Sequence, residues 1–158
     1  MVEAVRILSS TTIRIVCILT SSQSDVFNQN SIVLASGASS SANGKVYLGR
    51  PWGAYAKYAL KNSFPSYQNL TYFPSRVIFK NTYITAPLNK AIWSVWNTGD
   101  ERTSNILFAE YNSTGSGVSG ASRPSFATVL SASQANSYTI SSAVGSDYAN
   151  WVDAAYIV

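Results

Sequence analysis

Apolar residues occur in short runs along this chain, separated by polar stretches rich in Ser, Gly, Thr and Asn. Ser31-Ile-Val-Leu34, Val46-Tyr-Leu48, Val77-Ile-Phe79, Tyr83-Ile84 and Asn105-Ile-Leu-Phe108 have strand length and composition and are expected to be strands. Between the first two, Ala35–Gly44 reads as a flexible Ser/Gly connection. The runs follow no strict sequence repeat. Short strands joined by irregular turns fit either a sandwich or a coil-by-coil β-solenoid, and periodicity does not separate the two.

The pattern changes near the C-terminus. Ser131-Ala-Ser-Gln134 has the spacing of a capping box, in which each side chain satisfies an orphan backbone N–H of the other's residue. It predicts a short helix from Ala132 to Ser137, followed by a strand-like Tyr138-Thr-Ile140. Asp147–Tyr156 is expected to form a last helical turn or two, with Tyr148, Trp151, Val152 and Tyr156 as a packing stripe. At the other end, Met1–Ser24 is unassigned. Its apolar run is too short to span a membrane, and Arg14 interrupts it without a convincing signal-peptide cleavage site behind it.

At 158 residues the chain has room for one domain with a real core. Charged residues make up only 11% against 46% hydrophobic, a profile suited to an extracellular β-rich protein with a polar, uncharged surface. The net charge of +4 is scattered, so no basic stripe argues for nucleic acid as a partner. A mild positive charge is compatible with an anionic polysaccharide without selecting one.

Absent residues exclude some chemistry. There is no histidine, which removes Ser-His-Asp and Cys-His machinery and the usual zinc sets. The one cysteine, Cys17, lies in an apolar run and has no partner for an internal disulfide. Hydrolysis would have to rest on carboxylates, of which there are seven. Asp100-Glu101 is an acidic pair, but it sits in the polar turn Asn97-Thr-Gly-Asp-Glu-Arg-Thr103. A solvated loop with local pairing to Arg102 is the expectation there, not a catalytic dyad.

The richest stretch is Val46-Tyr-Leu-Gly-Arg-Pro-Trp-Gly-Ala-Tyr55. Arg50 and Trp52 are two apart, so an extended backbone would project them to one side. Arginine offers a planar fork for a carboxylate, and tryptophan a flat face for a sugar ring. From chemistry alone, a structurally paired Arg and a half-buried Trp explain them better than a site does.

Val46–Trp52 resembles the Leu-Gly-Arg-Pro-Trp signature of pectin methylesterases (pectinesterases), and the likeness extends along the chain. Arg76-Val-Ile-Phe-Lys-Asn81 looks like the strand after that signature. Trp93-Ser-Val-Trp96 resembles the tryptophan-rich turn that follows, with Ile92 in place of the family's usual Gly. Leu107-Phe-Ala-Glu-Tyr-Asn-Ser-Thr-Gly115 is similar to the family's Glu-Tyr-x-Asn-x-Gly region. Ser125-Phe-Ala-Thr128 and Gly145–Asp153 resemble the end of fungal members. The resemblance covers 25–158 apart from one insert.

What the resemblance implies is an all-β fold: the last coils of a right-handed parallel β-helix with a short helical C-terminal tail. It also implies secretion, pectin (methyl-esterified polygalacturonate) as partner, and no metal or cofactor. In the family one Asp attacks the methyl ester of galacturonate, a second acts as acid and then base, and Gln amides stabilise the oxyanion. By the match, Arg50 would orient the nucleophilic Asp, and Trp52 would line the sugar-binding groove.

Two departures qualify this. The family's Gln-Asp-Thr and Asp-Phe-Ile-Phe-Gly segments, which carry both aspartates and the glutamine, have no counterpart in Met1–Tyr47. The catalytic half is therefore expected to be missing, leaving either an inactive C-terminal portion or a non-catalytic pectin-binding remnant. Second, the aromatic-rich insert Lys57–Ser75 interrupts a run that is continuous in family members. It reads as a translated intron in a faulty gene model, or as an aromatic loop over the groove; the first reading is preferred. Asn69-Leu-Thr71 and Asn112-Ser-Thr114 are N-glycosylation sequons.

Overall fold

In a computed structural model of the protein, residues 25–51, 76–139, 141–142 and 145–151 are described. Six strands are present: β1 (Asp25–Asn28), β2 (Ser31–Ile32), β3 (Arg76–Lys80), β4 (Tyr83–Ile84), β5 (Leu107–Tyr111) and β6 (Ala127–Val129). Among the described residues there are also a short α-helix, α1 (Ala132–Asn136), and two 3-10 turns (Ser40–Ala42 and Tyr148–Asn150). Met1–Ser24, Cys17, Trp52, the insert 57–75 and the Asn69 sequon all lie outside the described residues.

Among the described residues all six strands pair in parallel. β1, β3, β5 and β6 form one sheet in that order, and β2 pairs with β4 in a second. Isolated parallel bridges extend the same stacking, with Tyr83 on Thr114, Val46 on Leu88 and Gly49 on Trp93. Successive passes of the chain thus lay equivalent segments on one another. The described part is all-β, as the pattern of short runs predicts, and its sheets are parallel, which the pattern left open.

Both faces of the large sheet are covered, which explains why Val77-Ile-Phe79 reads as a continuous apolar run and not an alternating one. On the inner face Phe27 pairs in register with Phe79, and Phe79 with Glu110. The phenyl rings of Phe27 and Phe79 stack at 4.7 Å. Around them Ile32, Ile84, Leu88, Ile92, Trp93 and Phe108 close the main core. Burial of each such side chain is worth roughly 2 kcal/mol. On the outer face Ile78 and Ala109 are fully buried beneath Leu130 and Ala135, the latter from α1.

That helix owes its start to the expected capping box. The Ser131 hydroxyl accepts from the Gln134 N–H at 3.3 Å, and the Gln134 side chain accepts from the Ser131 N–H at 2.9 Å. Tyr138-Thr139 is not a strand. The Tyr138 N–H closes the helix onto the Ala135 carbonyl, and Thr139 exchanges hydrogen bonds with Ser142, so neither residue is left free to pair. Two other boundaries shift: β2 ends at Ile32, leaving Leu34 exposed, and the run at Asn105 begins its strand only at Leu107. Asn105 itself has a left-handed φ of 56°, which is incompatible with a strand. Trp151, expected to pack, is exposed.

The corners are shaped by residues with positive φ. Gln29, Asn81 and Asn112 each take left-handed φ (56°, 50° and 52°) directly after β1, β3 and β5. Side-chain amides run across this edge, Asn112 Nδ2 donating to Asn81 Oδ1 and Asn81 Nδ2 to Asn28 Oδ1, both at 3.0 Å. Asn tolerates this conformation better than most residues, so the ladder and the turn reinforce each other. Ile92 is the harder case. It is fully buried at φ 64°, where a β-branched residue is strained. A glycine would adopt that backbone freely, and glycine is what the resemblance places there.

Candidate functional site

The Val46–Pro51 segment is laid against the next pass of the chain by backbone hydrogen bonds. Asn89 N–H donates to the Val46 carbonyl at 2.8 Å, Leu48 N–H to Ile92 at 2.8 Å, and Ser94 N–H to Gly49 at 3.0 Å. Gly49 sits on the six-membered ring of Trp93. A Cβ there would stand 3.3 Å from that ring, so a side chain would push the segment and the indole apart. The adjacent Pro51 is fully buried. Between these two fixed points Arg50 is exposed.

Arg50 does not reach into the core. Its guanidinium carbon lies 4.7 Å from the ring centroid of Trp96, a cation–π distance. Arg102 stands 4.8 Å from the same ring. Among the described residues no carboxylate pairs with Arg50, so its donor fork is available. Arg102 is different, donating from Nε (2.9 Å) and Nη2 (2.7 Å) to Asp100 Oδ2. That hydrogen bonding holds the Asp100 carboxyl below its ordinary pKa. The acidic turn is therefore the locally paired loop expected from the sequence: Asp100 serves Arg102, and the Glu101 carboxylate accepts from the Gly99 N–H at 3.2 Å.

The two tryptophans of Trp93-Ser-Val-Trp96 part company. Trp93 is 1% exposed, packs on Phe108 at 4.8 Å between centroids, and donates from Nε1 to Glu110 Oε1 at 3.0 Å. Trp96 is half-buried and faces the two arginines. Nothing in the spacing distinguishes them, since both flank two polar-tolerant positions. Sequence reasoning assigned a site role to Arg50 and Trp52 and missed Trp96 and Arg102. Of its two candidates the structure places Arg50, while Trp52 lies outside the described residues.

The Glu-Tyr-x-Asn-x-Gly region turns out to be supporting structure. Glu110 is buried with Trp93 and Arg123 on its carboxylate, Asn112 turns the corner, and Gly115 meets the Ile84 backbone. Its strong pattern records packing of one pass of chain on the next. No helix among the described residues is long and apolar enough to cross a membrane.

Comparison with known proteins bears on what this arrangement belongs to. The chain is 37% identical over 115 residues to a pectinesterase of Aspergillus aculeatus, covering 73% of this chain and 28% of the relative. It is 35% identical over 141 residues to a pectinesterase of Aspergillus niger, covering 87% of this chain and 35% of the relative. A probable pectinesterase/pectinesterase inhibitor 41 of Arabidopsis thaliana is 34% identical over 99 residues, 61% of this chain and 14% of the relative. No family model matches the chain, and no solved structure matches it significantly. The chain spans about a third of the length of the two Aspergillus relatives. With 35–37% identity over most of its length to fungal pectinesterases, the chain belongs to the pectinesterase family.

Proposed function

We propose that this protein is the C-terminal portion of an extracellular pectinesterase, and that the whole enzyme hydrolyses the methyl esters of galacturonate in pectin through an aspartate nucleophile. Family membership carries this reading. On it, the stacked parallel strands are the last coils of a right-handed parallel β-helix. Arg50 faces the carboxylate side of the reaction, its fork orienting the nucleophilic Asp by charge-assisted hydrogen bonds and favouring its ionised form. Trp52 lines the sugar groove beside it. The exposure of Arg50, with no carboxylate on it among the described residues, supports the assignment.

The 158 residues carry no counterpart of the family's two catalytic Asp segments, so the chain alone is inactive. Methanol release from highly methylated pectin tests this directly, and none is expected. In-frame transcript sequence upstream that encodes both Asp segments would support the whole-enzyme reading; a transcript without them would overturn it. Pectin affinity without turnover, lost on Trp52→Ala, would instead favour a non-catalytic pectin-binding remnant.

A further inference from the structure

We propose that Trp96 is a positioning residue for Arg50, its indole face holding the exposed guanidinium in one orientation while Arg102 braces the ring. The proposal rests on the reading of Arg50 as the group that meets a carboxylate. An arginine on an exposed segment ordinarily samples many rotamers, and its fork selects a carboxylate geometry only once its plane is fixed. Here the guanidinium carbon lies 4.7 Å from the Trp96 centroid, inside the roughly 6 Å reach of a cation–π contact.

The ring is itself held from several directions, as a platform must be. With the Asn97 amide oriented to satisfy both of its ends, its oxygen accepts from Trp96 Nε1 at 3.1 Å and its nitrogen donates to the Trp96 carbonyl at 3.0 Å. The Trp96 N–H donates to the Glu101 carbonyl at 3.2 Å. Arg102 then lies 4.8 Å from the ring centroid, with its side chain only 8% exposed and tied to Asp100. Asp100 balances the Arg102 charge, so the second cation on the ring does not drive Arg50 away. Arg102 takes a left-handed φ of 55°, unusual for a side chain of its size. Such a conformation persists where the surroundings over-determine it, and here those surroundings are Trp96 and Asp100.

The test uses the full 158-residue chain and a de-esterified oligogalacturonate as the carboxylate probe. In the wild type, NMR should show Arg50 δ-methylene protons shifted upfield by ring current, with nuclear Overhauser contacts to the Trp96 ring. Absence of those contacts overturns the proposal without any variant being made. Trp96→Leu should abolish the shift and weaken oligogalacturonate binding about threefold, the size of an exposed cation–π contact. Trp96→Phe, which keeps an aromatic face, should retain the shift and most of the affinity. Equal weakening by Leu and Phe would overturn the platform role in favour of simple packing. If Arg50→Ala leaves affinity unchanged, the carboxylate-facing reading of Arg50 fails, while the Overhauser contacts still decide the stack.

Discussion

Arg123 grips Glu110 with two hydrogen bonds, Nε to Oε1 at 2.8 Å and Nη2 to Oε2 at 2.9 Å, at the point where the inner row of phenyl rings gives way to a carboxylate. Trp93 Nε1 supplies a third donor to the same group. A carboxylate with 2% side-chain exposure is tolerable only because its oxygens are so fully met. The bond to Glu110 raises the Arg123 pKa further above its ordinary value, so the guanidinium stays charged at any pH at which the protein would be studied.

Removing one partner should therefore cost more than the pair itself is worth. Arg123→Ala is expected to destabilise the fold by about 3 kcal/mol, because it strands a buried charge. The double variant Glu110→Leu, Arg123→Met should lose less than the sum of the two single changes. Urea denaturation of the wild type, Arg123→Ala, the two single changes and the double variant measures this. A loss near zero for Arg123→Ala would reduce the pair to a surface contact.

Gly115 tests how closely two passes of chain approach. A Cβ built there lies 2.3 Å from the Ile84 carbonyl oxygen, and φ is +104°. Gly37 has a similar positive φ of +78° but nothing within 4 Å. Gly37→Ala should cost about 1 kcal/mol, the backbone term alone. Gly115→Ala should cost at least about 2 kcal/mol more, since backbone must move. Equal losses in chemical denaturation would mean that the close approach carries no energetic weight.

The Asp100–Arg102 pair should respond to acid. Its folded-state pKa is depressed, mainly by the Arg102 hydrogen bond, so its contribution is present above the unfolded value and is lost as pH falls through the folded one. The effect belongs below about pH 4. Over that range the 97–102 amides should lose hydrogen-exchange protection, measured against the intrinsic rate at each pH, before those of the sheet do. Asp100→Asn should show the lower protection already at neutral pH. Protection factors in the turn that stay constant from pH 6 to 3 would argue that the pair does not hold it.

Much of this protein is written locally. The capping box at Ser131 specifies its helix within four residues, and the structure places it as expected. The runs at Val77 and Tyr83 appear as β3 and β4 because strand-forming side chains sit between turn residues. Strands β1 and β6 gave weaker local signals, since in Asp25–Asn28 only two central residues favour a strand and Ala127–Val129 is only three residues long. Their conformation comes from pairing with β3 and β5. The Tyr138 run failed for the converse reason, because a helix cap and a side-chain turn claimed its backbone groups first.

Sequence by itself thus determined the all-β class, the helix near the C-terminus, the family, and Arg50 as the residue to watch. Tertiary structure decided which indole is core and which is surface, that Glu110 is an anchor for Trp93 and Arg123, and that Arg50 rests on Trp96. The physical reason is range. A cap or a strand run is satisfied by neighbours along the chain, whereas these side chains are satisfied by residues one pass away. Parallel stacking brings Gly49 onto Trp93 and Arg50 onto Trp96, residues far apart in sequence and next to each other only once the passes pair.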